Sequence, residues 1–360
     1  MKICLVGLPL SGKSALFSAL TGLAAAPAST KGPEQIAVVK VPDGRIELLT
    51  EIFKPKKKTP ASIEFTEIAG LAAGEPKKQG LSEQFLARLR AADALLCVVR
   101  AFADPSLPHP LESVDPVRDL RVLDAEFLLS DLAIVEGRME RLAKQIAAKK
   151  NDRDVRELTV LQKCRELLEG ETPLRQAGLK PGEETLVRGY RFLTIKPLIV
   201  AVNLGEEDIG REAEALAPFA PWTRQPHTAV IGLSARLEME IRQFPEGEAK
   251  ALLADFGIEN TALAKLIATS FRLMGLASFF TVGSDEVKAW TIREGTRAAQ
   301  AAGVIHSDIE RGFIRAEVVP YDEFAVCRSL PECRTAGALR LEGKDYPVHD
   351  GDIINFRFAV

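Results

Sequence analysis

The stretch MKICLVGLPLSGKSALFSALTG, residues 1–22, decides the fold prediction. Its first six residues form a short apolar run that predicts a buried strand, and SALFSALT repeats apolar residues at helical spacing before Gly22. Between the two lies GLPLSGKS, residues 7–14, which satisfies the pattern G-x-x-x-x-G-K-[S/T]. A strand, a glycine-rich loop and a helix in this order predict an α/β domain with a phosphate-binding P-loop.

The residue types of this loop fit a triphosphate with Mg²⁺. Its glycines let backbone N–H groups close around phosphate oxygens, and the start of the following helix adds positive potential. Lys13 would reach the β- and γ-phosphates as a catalytic group, and the Ser14 hydroxyl would join the magnesium shell. The predicted nucleotide-binding residues of the loop are Gly7, Leu10, Ser11, Gly12, Lys13, Ser14 and Ala15.

A second segment, FTEIAGL, offers a carboxylate at the end of a predicted strand. Glu67 is the predicted metal ligand, where Asp is usual; its extra methylene either displaces the water-mediated magnesium contact or keeps it at altered geometry. Gly70 could donate its N–H to a γ-phosphate and is a predicted catalytic residue. Leu71 follows, and an aliphatic side chain cannot orient an attacking water. Hydrolysis must then be slow or use another group.

The base-binding prediction rests on the ends of two later strands. The strand PLIVAVN ends at Asn203 and continues with Leu204 and Glu206, where a guanine-specific site would place Lys and Asp. The preference of the site for guanine should therefore be weak, and the site should also bind adenine. Ser234 and Ala235 follow the last strand, where main-chain N–H groups could contact the base. Taken singly these are ordinary turn residues, but their order after a P-loop favours nucleotide binding.

Composition limits the partners and the compartment. Lys+Arg 47 against Asp+Glu 50 gives a net charge of -3, so no global charge favours nucleic acid or an anionic membrane, and we expect no DNA sequence specificity. The five cysteines lack metal-ligand spacing, which predicts reduced thiols and a cytoplasmic location. We see no signal peptide and no apolar run near the ~18 residues of a membrane span, so we expect a soluble protein.

The remaining sequence predicts three parts. Strands alternating with helices indicate a mainly parallel sheet in a P-loop domain over residues 1–275. Residues 115–195 interrupt it with an antiparallel coiled-coil arm, because apolar residues from Leu128 to Ile146 alternate in steps of four and three before the polar turn KKNDRD. This apolar stripe either packs the two helices together or binds a partner. Short alternating runs predict a strand-rich domain over residues 276–360, whereas the lysine-rich residues 54–58 indicate a solvated loop.

Several stretches together resemble the YchF, or Obg-like ATPase, subfamily of the Obg GTPases. They are GLPLSGKSALFSALTG, VPDGRIELLTEIFKPKKKTPASIEF, EIAGL, NLGE, LSARLEMEI and, most specifically, AWTIREGTRAAQAAGVIHSDIERGFIRAEVV with LEGKDYPVHDGDIINFRF. The resemblance covers nearly the whole chain. It implies that the last third is a TGS domain, a ubiquitin-like β-grasp module associated with RNA or ribosome contact. It further implies the coiled-coil arm, ATP favoured over GTP, and a hydrophobic residue in place of the catalytic glutamine, which Leu71 matches.

The resemblance also assigns individual residues. Asn203, Leu204 and Glu206 fall on the family's base-reading segment, and Thr30 is the equivalent of a switch threonine that can join the magnesium shell. The phosphate loop departs from the family's usual N-V-G-K-S-T at its outer and last positions, and the switch segments carry further changes. The departing residues are Leu10, Ser11, Ala15, Glu67, Lys78 and Ser82. The switch changes concern the hydrolytic cycle more than nucleotide binding.

We therefore expect a P-loop NTPase that binds ATP, with GTP admitted, and hydrolyses it slowly with Mg²⁺ as a nucleotide-dependent switch acting on the ribosome or RNA. The alternative is a hydrolysis-deficient nucleotide-binding adaptor that contacts RNA or protein through the TGS domain.

Overall fold

The chain forms two compact units in a computed structural model. The first consists of Met1–Ala37 and Glu64–Leu266, and the second of Val38–Ile63 and Ile267–Val360. The structure describes residues 1–22, 34–68, 81–244, 248 and 261–359. The domain boundaries taken from the sequence stay predictions. The compact units differ from them in that Val38–Ile63, assigned to the first domain from the sequence, groups with the second unit.

The first unit is built on a six-stranded sheet. Its strands are β1 (Lys2–Val6), β2 (Glu34–Lys40), β4 (Ser62–Ile68), β5 (Ala94–Arg100), β6 (Leu198–Asn203) and β7 (Thr228–Leu233). The strand order is β2-β4-β1-β5-β6-β7, and the pairings of β1 with β4 and β5, of β5 with β6, and of β6 with β7 are parallel. Every residue of β5 and β6 is buried, as expected for strands covered on both faces. The prediction of a mainly parallel sheet is confirmed.

Helices follow most of these strands. In chain order they are α1 (Lys13–Thr21), α3 (Glu83–Ala91), α4 (Pro116–Ala148), α5 (Asp152–Glu169), α6 (Pro181–Val187), α7 (Glu212–Leu216), α8 (Ala220–Thr223), α9 (Ala235–Ile241) and α10 (Ala262–Leu273), with α2 (Gly44–Phe53) in the second unit. Because parallel strands point the same way, the loops after β1, β5, β6 and β7 meet at one edge of the sheet. That edge holds the predicted site.

The arm consists of α4 and α5. Asp115 caps α4 by accepting from Arg118 N, and Asn151 caps α5 by accepting from Arg153 N, so the polar turn lies where the sequence predicted it. Apolar residues from both helices form one core cluster. Its buried members are Val135, Leu142, Val160, Leu161, Cys164, Leu168, Leu174, Val187 and Phe192. The stripe therefore packs the two helices together along most of its length.

A set of buried polar groups, called here the arm root, consists of Asp131 in the middle of α4 and Lys196 before β6. The buried carboxylate of Asp131 accepts from Leu193 N at 2.9 Å, Thr194 N at 2.8 Å and Thr194 Oγ1 at 2.7 Å. Lys196 donates its ammonium to the carbonyl oxygens of Arg90, at 3.1 Å, and Ala92. Burial raises the pKa of Asp131 although its hydrogen bonds oppose this, and burial lowers the pKa of Lys196 to about 8.

The second unit contains a mixed six-stranded sheet. Its strands are β3 (Lys57–Thr59), β8 (Leu276–Thr281), β9 (Glu286–Arg293), β10 (Phe313–Pro320), β11 (Arg340–Glu342) and β12 (Asp352–Phe358), in the order β11-β10-β12-β8-β9-β3. Its other helices are α11 (Ala298–Ile305), α12 (Ser307–Arg311), α13 (Tyr321–Cys327) and α14 (Leu330–Thr335). The alanine face of α11 packs into the sheet's core cluster with Phe279, Ile292 and Val318.

One local prediction is wrong in part. The lysine-rich residues 54–58 were predicted as a solvated loop; residues 54–56 lie outside the strands, but Lys57 and Lys58 belong to β3, which pairs in parallel with β9. Backbone pairing with a strand more than two hundred residues away overrides the local charge, and the side chains of Lys57 and Lys58 still reach solvent. Across the described parts of the chain, no helix is both long and apolar enough to cross a membrane.

Candidate functional site

Two positions of the phosphate loop require glycine, because neighbouring atoms lie too close to the backbone to leave room for a Cβ. A Cβ on Gly7 would lie 2.3 Å from the carbonyl oxygen of Val98 in β5. A Cβ on Gly12 would lie 2.1 Å from Asn203 Nδ2, and Gly12 has φ +93°, a left-handed conformation that favours glycine. The loop therefore packs its backbone directly on the ends of β5 and β6.

Lys13 stands at the start of α1 and is nearly buried. Its ammonium donates to the carbonyl oxygens of Gly7, at 2.9 Å, and Leu8, at 2.7 Å. Gly12 is the N-cap of α1 and has no side chain to cap the first turn, so the helix start can bind an anion with its N–H groups. The loop thus combines a fixed cation with a helix amino end.

Ser14 and Glu67, two of the residues predicted to bind the metal, are in direct contact. The Ser14 hydroxyl donates to Glu67 Oε1, and the Glu67 side chain is almost fully buried at the end of β4. The Glu67 side chain therefore contacts the serine directly. Hydroxyl and carboxylate oxygens are hard ligands that suit Mg²⁺. Among the described residues no group of three or more His, Cys, Asp or Glu could hold a metal, so an ion here would depend on nucleotide oxygens.

Asn203 joins the phosphate loop to the loop after β7. Its Nδ2 donates to Ser11 O at 3.1 Å, and its Oδ1 accepts from Ala235 N at 3.0 Å. Ser234 caps α9, where its hydroxyl accepts from Leu237 N. The buried amide of Asn203 is thus bonded to backbone on both sides and links the two loops.

These elements line a cavity of about 730 Å³ in the first unit. The predicted residues in its wall are Leu10, Gly12, Lys13, Ser14, Ala15, Asn203, Leu204, Glu206, Ser234 and Ala235. Gly7, Ser11 and Glu67 lie outside the lining, and each contacts a residue that is in it. Thr30 and Gly70, like Leu71, fall outside the residues that the structure describes.

Sequence reasoning missed the wall formed by the loop after β5. Phe102, Asp104 and Leu107 line the cavity, and the buried guanidinium of Arg100 donates to the carbonyl oxygens of all three, at 3.1, 3.2 and 2.9 Å. Arg100 also lies 4.6 Å from the centre of the Phe102 ring. An arginine that ends an otherwise apolar strand was the signal that could have revealed this loop.

The far rim of the cavity is charged. Glu206, Glu207 and Glu240 line it, together with Arg236 from α9. Arg236 Nε lies 3.1 Å from Glu206 Oε1 and 3.3 Å from Glu240 Oε1. The sequence pointed to Glu206 but not to its partner.

Two family models match the chain. Residues 2–135 match one described as a 50S ribosome-binding GTPase. Residues 276–359 match the YchF-GTPase_C model, described as a protein of unknown function. The two matches cover the phosphate loop and the strand-rich C-terminal part respectively.

Similar proteins span the whole chain. A ribosome-binding ATPase YchF of Bacillus subtilis is 40% identical over 363 residues, covering 99% of this chain and 98% of the relative. Obg-like ATPase 1 of Oryza sativa is 38% identical over 367 residues, covering 100% and 92%. The solved structure of a YchF GTPase from Schizosaccharomyces pombe is 35% identical, with a TM-score of 0.87 over 99% of this chain and 97% of that one.

Proposed function

Because this chain belongs to the YchF family of Obg-like ATPases, we propose that it binds ATP in the cavity of the first unit, hydrolyses it slowly, and acts as a nucleotide-dependent switch on the ribosome or RNA. One observation carries the proposal: the glycine loop, Lys13, Ser14 and the Asn203 bridge converge on a single cavity. We propose GTP as a second ligand of the same cavity.

The binding step follows from charge and geometry. The ammonium of Lys13 is held at the loop by two carbonyl oxygens, so it needs little reorganisation to meet β- and γ-phosphate oxygens. Helix α1 adds its positive end, and Asn203 keeps the phosphate loop in register with the base-binding loop. We assign the ribose and base to the wall formed by Phe102, Leu107 and Leu204.

For Mg²⁺, we propose Ser14 and Glu67 as the protein ligands, with Thr30 as a switch ligand. Their oxygen chemistry fits the ion, which when bound would neutralise charge on the phosphates. Ser14 would exchange its hydrogen bond to Glu67 for the ion. Gly70 remains the proposed N–H donor to the γ-phosphate.

Slow turnover follows from the residue after Gly70. Leu71 cannot hydrogen-bond an attacking water, so water positioning falls to backbone groups or to the partner. The direct Ser14–Glu67 contact favours the second candidate, a hydrolysis-deficient nucleotide-binding adaptor. Each of these two proposed metal ligands is already hydrogen-bonded to the other. Single-turnover release of γ-phosphate separates the candidates: release supports the switch, and its absence with ATP bound supports the adaptor.

The partner is inferred from the relatives, which are named for ribosome binding. We propose the ribosome, with RNA contact through the TGS domain, and a cytoplasmic location where ribosomes work. Fully buried free cysteines such as Cys4 and Cys97, whose thiol pKa is raised by burial, fit a reducing compartment.

The test compares the wild-type chain with Lys13→Ala by titration calorimetry with ATP and GTP. Loss of the ammonium should weaken ATP binding by at least about tenfold, since a charge-assisted hydrogen bond is lost at each contacted oxygen. Arg141→Ala, on the exposed face of the arm helix α4, is the matched control and should bind as the wild type does. Absence of binding by the wild type to both nucleotides would reject the proposed function.

A further inference from the structure

The sheet of the second unit opens along one of its strands. β12 pairs with β10 along Asp352–Phe358, but on its other side it meets β8 at one register position, Ile353 opposite Phe280. After Thr281 the chain leaves β8 and turns toward β9. In the described part of the chain, residues 354–358 of β12 therefore have a strand partner on one side only. This stretch is called the open edge here, and such an edge presents backbone groups to another strand.

The backbone groups of β12 alternate between its two sides. Gly351 N, just before the strand, donates to Ser278 O of β8 at 2.8 Å. Because every second residue of a strand directs its N–H and C=O to the same side, Asn355 and Arg357 face the opening. Each of them offers one donor and one acceptor, and the two residues stand about 6.8 Å apart along the strand. This spacing of donors and acceptors matches the backbone of another extended peptide.

A cavity of about 460 Å³ follows the open edge on both faces of the sheet. On one face its wall includes Ile305 and Ile309, which pack on the core cluster beside α11. On the other face its wall includes the charged or amide side chains of Glu317, Arg334 and Asn355. The side chains of a strand inserted here would point alternately to these two faces. The cavity therefore fits a segment in which apolar and polar residues alternate.

The polar face carries an excess of positive charge. Glu317 Oε1 lies 3.0 Å from Arg357 Nη2 and 3.7 Å from Arg334 Nη2, and Asn355 Nδ2 donates to Glu317 Oε2 at 2.9 Å. Arg315, the register partner of Arg357 on β10, has no ion pair with any described residue. Like charges opposite each other on neighbouring strands are unfavourable. The three arginines of this face outnumber Glu317, so the face favours an incoming carboxylate.

The same features select among possible occupants. A second copy of this chain would bring the same arginines against the polar face, which disfavours edge pairing between two copies. A nucleic acid would satisfy the guanidinium groups, but its sugar-phosphate backbone lacks the alternating N–H and C=O groups that pair with Asn355 and Arg357. A polypeptide with carboxylate side chains satisfies both the backbone and the charge.

We propose that the open edge binds an extended segment of a protein partner, in which apolar and acidic residues alternate, as an added strand beside β12. Its backbone pairs with Asn355 and Arg357, its apolar side chains enter the face of Ile305 and Ile309, and its carboxylates meet the arginines. This surface belongs to the second unit, whereas the nucleotide cavity belongs to the first, so the inference goes beyond the proposed function and does not depend on it.

The test titrates the full-length chain into a fluorescent six-residue peptide that alternates valine and glutamate and is capped at both ends. Anisotropy should show saturable binding. Methylating the backbone nitrogens of one alternate set should weaken binding at least about tenfold, because the inter-strand hydrogen bonds are lost. The sensitive set is the glutamates for an antiparallel added strand and the valines for a parallel one. Methylating the other set is the matched control and should leave the affinity within about threefold.

Charge reversal tests the polar face. A peptide that alternates valine and lysine should bind the wild type at least about tenfold more weakly than the glutamate peptide does. Arg334→Glu should reverse this preference, since the excess of positive charge is removed where the acidic side chains bind. Arg340→Glu carries the same charge change on β11, at the far edge of the sheet, and should keep the wild-type preference.

Four outcomes overturn the inference: no binding of the glutamate peptide by the wild type, equal loss or no loss with both methylated sets, equal affinity for the two peptides, and an unchanged preference in Arg334→Glu. If a six-nucleotide RNA displaces the peptide and methylation has no effect, the arginines form a phosphate site and the inference also fails. Lys13→Ala should bind the peptide as the wild type does. A wild type that binds the peptide but no nucleotide would reject the proposed function alone, and the reverse result would reject this inference alone.

Discussion

The nucleotide cavity and the arm root both contain buried polar side chains, but these groups are satisfied differently. In the arm root, Asp131 accepts from two backbone N–H groups and one hydroxyl, and Lys196 donates to two backbone carbonyls. In the cavity, Ser14 and Glu67 satisfy each other through side chains. Two side chains that bond each other can separate and bind a ligand. Lys13 is bonded to backbone carbonyls as Lys196 is, but it lines an open cavity where a ligand can reach it.

The comparison teaches that burial alone does not mark a functional residue. Burial raises the pKa of Asp131, as active-site carboxyls often show, yet its contacts fasten α4 to the loop before β6. Lys13 is also nearly buried, but it stands at a glycine loop that lines an open cavity. Position in the wall of an open cavity, rather than burial or a shifted pKa, separates the ligand-binding group from the structural one.

Asp131→Ala should have the largest effect, and it acts on stability alone. Removing the carboxylate leaves the donors of Leu193 and Thr194 buried without their acceptor, which should lower the free energy of unfolding by about 3 to 5 kcal/mol. Urea unfolding measures the loss, and calorimetry should give an ATP affinity within twofold of the wild type. Asp131→Asn, which keeps one oxygen, should lose about half as much. Lower ATP affinity at unchanged stability would break the comparison.

The pH dependence of stability tests the second group of the arm root. The pKa of Lys196 is about 8 in the folded chain against an ordinary 10.5, because burial disfavours the ammonium. A lowered pKa contributes stability above the unfolded value, and this contribution is lost as pH falls through 8. The stability of the wild type relative to Lys196→Met should therefore rise between pH 8 and 10.5, by about 3 kcal/mol at most.

Urea midpoints of both proteins at pH 7, 8, 9 and 10 provide the measurement. Using the difference between the two proteins removes the titration of other groups, including thiols such as Cys97, which is buried in the same unit. A difference that stays constant with pH would mean that the ammonium is as well solvated in the fold as in the unfolded chain.

The parts of the fold that the sequence predicted are local. The phosphate loop, the strands beside it and the arm turn each depend on residues within a few positions of one another. Their patterns can therefore be recognised in the sequence. β3 was missed because its pairing with β9 is remote in sequence. The assignment of Val38–Ile63 to the second unit is equally a matter of long-range contacts.

The same distinction holds within the site. Lys13, Ser14 and Asn203 were found from motif and order, and the structure places them around one cavity. The wall after β5 has no motif, since its shape comes from the three carbonyl contacts of Arg100. The pairing of Arg236 with Glu206 depends on the rotation of α9 about its axis, which sequence spacing does not fix.

Asn203→Ala should lower ligand affinity more than stability. The amide bridges Ser11 O and Ala235 N, so its loss frees the phosphate loop from the base loop and should weaken ATP binding by about tenfold. The cost in folding should be about 1 to 2 kcal/mol. Asn355→Ala, whose amide donates to Glu317 in the second unit, is the matched control and should leave ATP binding unchanged. Equal ATP affinities for Asn203→Ala and wild type would contradict the positioning role.

Glu67→Asp should have the smallest effect, and it tests whether the Ser14–Glu67 contact can open. The shorter side chain would release the serine hydroxyl, so Mg²⁺ should increase ATP affinity about fivefold more in the variant than in the wild type, the value of roughly one hydrogen bond. Calorimetric titration of each protein with ATP, once with Mg²⁺ and once with a chelator, gives the increase in ATP affinity that Mg²⁺ causes. Glu67→Gln keeps the reach without the charge and should reduce the gain. If all three proteins gain equally, Glu67 belongs with Asp131 as a structural carboxylate, and the contrast between the two regions would rest on Lys13 alone.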